Sequence, residues 1–341
     1  MRAIVINGKE DLTLAEVPTP EPGLGQVRIR TAYVGICGSD LHYYYDGANG
    51  AFVVREPLIP GHEMSGTVDL DPSGELAPGT AVTVHPATFG DVLAGLEDAP
   101  HLWPNGAYLG SASTWPHTQG AAAEYVVVDA SMVRVLPAEL PLNRGALAEP
   151  LAVGLHGIEL AGGVAGQRVL VTGSGAIGLL AAGAAVALGA AEVTTTDVLD
   201  GPLQRARGIG AAHTINVGTE EIPAEAYDLV LECSGVPASI NAAFEAARRA
   251  GTYVQVGMVP NAPSGINLAP MISKELTMHG SFRFNNEIDA AVALLADRPE
   301  IEQVLTHVFP AEDAVAAFAA AKDSEVSGKV LLSLTSDHDA A

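Results

Sequence analysis

The sequence predicts an α/β protein of two domains, a β-rich one and a doubly wound parallel sheet. Three observations carry this prediction. The first third alternates polar and apolar residues at period two. From about Leu147 onward, strand patterns alternate with helix patterns. A glycine-rich turn, Gly173-Ser174-Gly175-Ala176-Ile177-Gly178, joins one such strand to one such helix. The 341 residues are enough for two cores. The expected division is residues 1–150 with 286–341 as one domain and 151–285 as the other.

In the β-rich part the clearest strand is the alternating run from Gln26 to Val34. Similar runs occur at Gly66–Val68, Ala81–Val84 and Ala123–Val128, with Pro and Gly between them. Residues 87–110 have no periodicity and read as a long loop. Beyond Leu147, Arg168–Thr172 reads as a buried strand and Ile177–Leu188 as a helix. Glu192–Thr196, Asp228–Glu232 and Thr252–Val256 read as further strands, with a helix over Ala238–Arg249. Such alternation implies βαβ units and a parallel sheet. Helices are expected at Asn286–Ala296 and Ala311–Ala321. A final strand, Gly328–Leu334, is expected to rejoin the first domain.

Composition excludes several functions. With 48% apolar and 17% charged residues the chain reads as globular, not disordered. Its net charge of -23 would repel nucleic acid and anionic membranes, so neither is expected as a partner. Two cysteines, Cys37 and Cys233, make no disulfide framework and point to a reducing, cytoplasmic setting. The first apolar run is too short for a signal peptide. The charge-free stretch Val169–Ala191 could span a bilayer by length, but glycine interrupts it, and a strand, turn and buried helix explain it better.

The glycine turn follows a buried strand and opens a helix. In that context the N–H groups of Gly173, Gly175, Ala176, Ile177 and Gly178 can face a pyrophosphate. Asp197 ends the next strand, where a carboxylate accepts hydrogen bonds from ribose hydroxyls and repels a 2′-phosphate. No cation follows it in Val198-Leu199-Asp200, so NAD is expected over NADP. A tight turn that only packs a helix is the plainer explanation, and the context argues against it.

Ahead of this turn stand Cys37, His62-Glu63 and Glu149-Pro150. Thiolate, imidazole and carboxylate are all zinc donors, and a catalytic zinc needs about three of them plus an open position. Taken singly, each has a dull explanation: a small core cysteine, a hydrogen-bonded core histidine, a helix start. Their conjunction with a dinucleotide turn suggests metal-assisted hydride transfer.

At these residues the chain resembles the zinc-dependent medium-chain dehydrogenases, in particular their polyol dehydrogenase branch. The resemblance rests on Gly35-Ile36-Cys37-Gly38-Ser39-Asp40-Leu41-His42-Tyr43, Pro60-Gly61-His62-Glu63-Met64-Ser65-Gly66, Ala148-Glu149-Pro150-Leu151 and the glycine turn, in the family's order, and it covers nearly the whole chain. It implies a GroES-like catalytic domain and a Rossmann domain. It implies a catalytic zinc on Cys37 and His62 with Glu63 or Glu149 as the alternating third ligand. It also implies a proton path from Ser39 through the cofactor ribose to His42. Val256 and Gly257 are expected against the cofactor. Members often hold a second, structural zinc on four close cysteines. This chain has none between residues 87 and 110, so one zinc per chain is expected; Asp91, Glu97, Asp98 and His101 there read as a solvated acidic loop.

Several segments bear on the substrate. Tyr43, with Tyr44 and Tyr45, could line a polar pocket or simply pack. His117 and Arg283 fall in segments that look most like those of the L-idonate 5-dehydrogenases. Arg283 could meet a substrate carboxylate or orient Glu149. A sugar acid or polyol is therefore the expected substrate. Sorbitol or xylitol oxidation is the runner-up and L-threonine oxidation a distant third. A zinc-free quinone or enoyl reductase, or a non-catalytic NAD(H)-binding protein, would need Cys37 and His62-Glu63 to be idle. His85, His156 and His279 read as structural. A homo-oligomer, dimer or tetramer, is expected by resemblance.

Overall fold

The structure, a computed structural model, describes residues 1–334. It separates into two compact units. The first is Met1–Glu149 with Leu305–Asp323 and the segment from Lys329 onward; the second is Pro150–Val304 with Ser324–Gly328. Residues 286–304, expected with the first domain, cluster with the second instead. The cause is packing within that unit: helix Ile288–Asp297 buries Ile288, Ala291, Val292 and Leu295, and Ile301 reaches Gly183 of helix Ala176–Ala187. The expected tail beyond Leu334 lies outside the described residues.

The main sheet of the first unit runs in the order Val133–Val135, Ala81–Val84, Glu63–Leu70, Gln26–Gly35, Lys329–Ser333, Leu305–Pro310, and Tyr125–Asp129 also pairs with Gln26–Gly35. The central strand buries Val27 and Ile29, then Ala32 and Val34. A register shift between Thr31 and Tyr33 makes that change of phase possible. Around it Ile4, Ile6, Leu58, Met64, Val82, Phe318 and Leu332 form the core. The last strand described, Lys329–Ser333, lies antiparallel to Gln26–Gly35, so it does return to the first unit. Residues 87–110 are not wholly irregular, because Ala87–Thr88 pairs with Ala107–Tyr108.

The sheet of the second unit is parallel throughout. Its order is His213–Asn216, Glu192–Asp197, Arg168–Thr172, Tyr227–Glu232, Ala247–Gln255, Thr277–Gly280. In chain order this is 3-2-1-4-5-6, which places a crevice at the carboxyl ends of Arg168–Thr172 and Tyr227–Glu232. Helix Ala176–Ala187 is buried over most of its surface, which its Ala- and Gly-rich sequence permits. The charge-free stretch thus becomes a strand and a helix, and among the described residues no helix is long and apolar enough to cross a membrane.

The helix expected over Ala238–Arg249 is Pro237–Ala246; residues from Ala247 turn into strand. The buried ammonium of Lys274 explains the early stop. It donates to the carbonyls of Phe244, Glu245 and Ala247, satisfying acceptors that the helix end leaves open.

Candidate metal centre and cofactor cradle

Cys37 is the N-cap of helix Gly38–Asp46. The carboxylate of Asp40, in that helix's first turn, accepts from the Cys37 N–H at 2.9 Å and from the Gly61 N–H at 3.2 Å. One buried side chain therefore ties the cysteine segment to the turn before His62. Glu63 begins strand Glu63–Leu70 and pairs in register with Gly35. Glycine at that partner position leaves the carboxylate its place, since a Cβ on Gly35 would lie 2.1 Å from Glu63 Oε2 and displace it.

Ligand atoms of Cys37, His62 and Glu63 all lie within 4.8 Å of one another. Glu149 is not in this group. It is buried in the first turn of helix Ala148–Leu160, and its Oε1 accepts from the Tyr108 hydroxyl at 2.5 Å. The Tyr108 ring in turn stands edge-on to His62 at 5.4 Å.

The side chains fit a cation. His62 Nδ1 and Glu63 Oε2 are buried and have no hydrogen-bond partner. Burial works against a charged His62. The Cys37 sulfur beside it and the carboxylates of Glu149 and Asp40 nevertheless push its pKa up to about 10. A buried anionic cluster of this kind calls for positive charge, and a borderline metal suits its sulfur, nitrogen and oxygen donors.

One cation is already present. Lys329 Nζ lies 2.7 Å from both Glu63 oxygens, with hydrogen-bond geometry met at Oε1, and it also donates to the Ile36 carbonyl at 3.2 Å. Both side chains are inaccessible, at 4% and 0% exposure. Burial opposes the ammonium, but Glu63 and Cys37 hold its pKa above the usual range. Neither Lys329 nor Tyr108 was singled out from the sequence. The one local signal for Lys329 is a lysine inside an otherwise apolar strand.

The remaining expected residues of the first unit fall as follows. Ser39 and His42 are three apart on helix Gly38–Asp46 and so share a face. His42 is well exposed and pairs with Asp46 at 2.9 Å. Tyr43 is buried; its hydroxyl accepts from Ala112 N–H at 3.1 Å and meets Ser111 Oγ at 3.3 Å. Tyr44 packs edge-on to Phe318 at 5.3 Å. His117 has both ring nitrogens engaged by backbone: Nε2 accepts from Arg55 N–H at 2.9 Å, and Nδ1 faces Thr114 O at 3.0 Å. It braces the wall of a cleft of about 140 Å³ lined also by Phe52, Arg55, Ser113 and Trp115. Arg55 is exposed and makes no ion pair among the described residues. In the 87–110 loop, Asp91 accepts from Asn105 and Glu97 from Gly95 N–H, so these carboxylates bind their own loop.

The second unit holds the cradle. Gly173 has φ +82, and a Cβ on Gly178 would lie 1.8 Å from the Gly173 carbonyl, so helix and strand meet this closely only with glycine. Gly175 caps helix Ala176–Ala187 and faces open space. Asp197 ends its strand and accepts from Ser174 N–H at 2.9 Å and Leu199 N–H at 3.0 Å. The nearby Arg205 donates to the carbonyls of Ser324, Glu325 and Ser327. Val256 and Gly257 both donate to Glu232 O at 2.8 Å. The buried Glu232 carboxylate accepts from Gly235 N–H at 2.9 Å and Gln255 Nε2 at 2.6 Å, which fixes the crevice lip. Arg283 has φ +53 and stacks over Phe282 at 5.0 Å.

Residues 23–138 match the alcohol dehydrogenase GroES-like domain, and residues 176–297 match the zinc-binding dehydrogenase domain. The chain is 37% identical to sorbitol dehydrogenase from Gallus gallus over 95% of its length and 94% of that protein's. It is 33% identical to L-idonate 5-dehydrogenase (NAD(P)+) from Escherichia coli, over 97% and 98%. The crystal structure of L-idonate 5-dehydrogenase from Escherichia coli superimposes with a TM-score of 0.92 at 32% identity, covering 97% of each chain. A zinc-binding dehydrogenase from Sinorhizobium meliloti bound to NADP gives 0.88 at 27% identity, covering 97% and 98%.

Proposed function

The chain belongs to the zinc-binding dehydrogenases, and from that premise we propose that it oxidises a secondary alcohol of a sugar acid, L-idonate first, with NAD as hydride acceptor. The observation that carries the reaction class is the convergence of Cys37, His62 and Glu63 within 4.8 Å. When bound, zinc would polarise the substrate hydroxyl and the nicotinamide would take the hydride. Cys37, His62 and Glu63 would hold the metal, with Glu149 kept nearby by Tyr108. Ser39 would relay the hydroxyl proton, by passing on its own through the cofactor ribose, to His42, which is on the same helix face and open to water.

Gly173 to Gly178, Val256 and Gly257 would line the cofactor, with Asp197 on its ribose. The preference for NAD rests on Asp197 and on Arg205, whose guanidinium is spent on carbonyls. One zinc per chain is the proposed stoichiometry, since the described residues offer one such donor cluster. An oligomer formed through the edge strand Thr277–Gly280, beside exposed Leu268, Ile272 and Met278, is the proposed assembly, in the cytoplasm.

A sugar acid is favoured over a neutral polyol because a cation, Arg55, lines the cleft that Ala112 and His117 wall. Arg283 is the second candidate partner for a carboxylate. The higher identity to sorbitol dehydrogenase supports the other reading, sorbitol or xylitol. Turnover of L-idonate, D-gluconate, sorbitol, xylitol and L-threonine with NAD and NADP separates them; the highest kcat/KM is expected for L-idonate with NAD. Arg55→Met should lower kcat/KM for L-idonate about 10-fold while leaving sorbitol within about 2-fold. Equal losses on both substrates would remove Arg55 from carboxylate recognition.

A further inference from the structure

Lys329 is a buried cation of the metal centre that the proposed reaction does not use. Its side chain comes from the last strand described, yet its ammonium sits under both ligand segments. It grips the carboxylate of Glu63 and the carbonyl of Ile36, the residue before Cys37. The two oxygens of Glu63 are not equivalent. Oε1 takes the lysine hydrogen bond, while Oε2 is buried without one. The carboxylate thus faces the ammonium with both oxygens, and only Oε2 keeps its lone pairs out of a hydrogen bond. Gly35, with no Cβ, makes the room that this arrangement needs.

Charge accounting shows what the lysine changes. A divalent cation with the Cys37 thiolate and the Glu63 carboxylate is formally neutral, so the ammonium of Lys329 is a second positive charge facing the same carboxylate. Two cations facing one carboxylate must share it, and each weakens the other's hold.

Resting on the metal reading above, we propose that Lys329 is a positioning residue that competes with the metal for the Glu63 carboxylate. Glu63 is then a loosely held ligand, and the coordination position it yields is open to the substrate. This also gives Glu63 and Glu149 different characters: the first is tethered to an ammonium, the second to a neutral tyrosine hydroxyl.

The test uses the full chain as wild type, Lys329→Met, Lys329→Arg, Glu63→Gln and the double variant Lys329→Met/Glu63→Gln. Zinc affinity is read by chelator competition, and ligand geometry by the visible spectrum of the cobalt-substituted protein. Lys329→Met should bind zinc about 10-fold more tightly, because Glu63 no longer has a second cation to serve. Its kcat should fall about 10-fold with KM little changed, and its cobalt spectrum should shift. Lys329→Arg keeps the charge and should stay within about 3-fold of wild type in zinc affinity. In the Glu63→Gln background, Lys329→Met should change zinc affinity by less than about 2-fold.

Zinc held equally or more weakly by Lys329→Met, with a lower thermal midpoint, would make the lysine a strut and overturn the inference. If Lys329→Met does not fold, Lys329→Gln, which keeps a donor but not the charge, carries the same expectation of tighter zinc. A wild-type chain that binds no zinc would defeat the metal reading itself. A zinc-binding wild type with an indifferent Lys329→Met defeats only the lysine's role.

Discussion

The two units prepare for their ligands by opposite means. In the first, the proposed metal centre is built from titratable side chains: the half-buried Cys37 and the buried Asp40, His62, Glu63, Glu149 and Lys329. In the second it rests on backbone shape, with Gly173, Gly175 and Gly178 leaving space and Asp197 anchored by N–H groups. Buried charges compensate one another, so each changes what its neighbours can do. A glycine cradle has no such coupling. Substitutions in the first unit should therefore act as a group, and those in the second singly.

The largest expected effect tests the coupled side. Cys37→Ala should lower kcat/KM at least ~10³-fold and reduce bound zinc, measured together by steady-state kinetics and metal analysis. A variant that keeps wild-type turnover would mean that the cluster has no part in the chemistry.

Next comes a pair in the second unit that behaves like the first. His156 Nδ1 meets Glu287 Oε1 at 2.6 Å, both buried. Burial alone would raise Glu287. The His156 hydrogen bond and the N–H of Asn285 prevail and lower its pKa to about 2 from an ordinary 4.5. Its stabilising contribution is therefore complete above about pH 4.5 and is lost as pH falls through about 2. Glu287→Gln should cost roughly 2–3 kcal/mol near neutrality, and the difference should shrink on acidification. Urea midpoints across pH read this directly; a gap that stays constant down to pH 3 would rule it out.

The smallest effect probes the backbone side. Asp197→Ala should raise KM for NAD about 10-fold, narrow the gap to NADP, and leave zinc content unchanged. A loss of zinc in that variant would erase the contrast between the two units.

The same contrast explains what was legible beforehand. The glycine turn and Asp197 could be found in the sequence because a backbone cradle is local: its glycines and their strand and helix are consecutive. Cys37, His62 and Glu63 were legible only together, since each residue alone suits a core. Glu149 was expected as an alternate ligand; its carboxylate falls outside the three-donor group and accepts from Tyr108, which lay in a stretch that read as loop. His117 was expected against substrate; it walls the cleft with its ring nitrogens held by Arg55 and Thr114 backbone, a long-range pairing with no local pattern. The end of helix Pro237–Ala246 was misjudged for the same reason, because the lysine that caps it comes from residue 274. The assignment of 286–304 failed because amphipathic helices do not announce which core they will cover.

The partnership of Glu63 with Lys329 spans 266 positions of chain. A ribosome makes the carboxylate long before the ammonium that neutralises it. Until the closing strand is threaded in beside Gln26–Gly35, Glu63 has no buried counter-charge and no reason to leave water. Metal loading in its mature form is consequently an event for the finished polypeptide, and nascent chains halted before residue 329 should hold zinc differently from released ones.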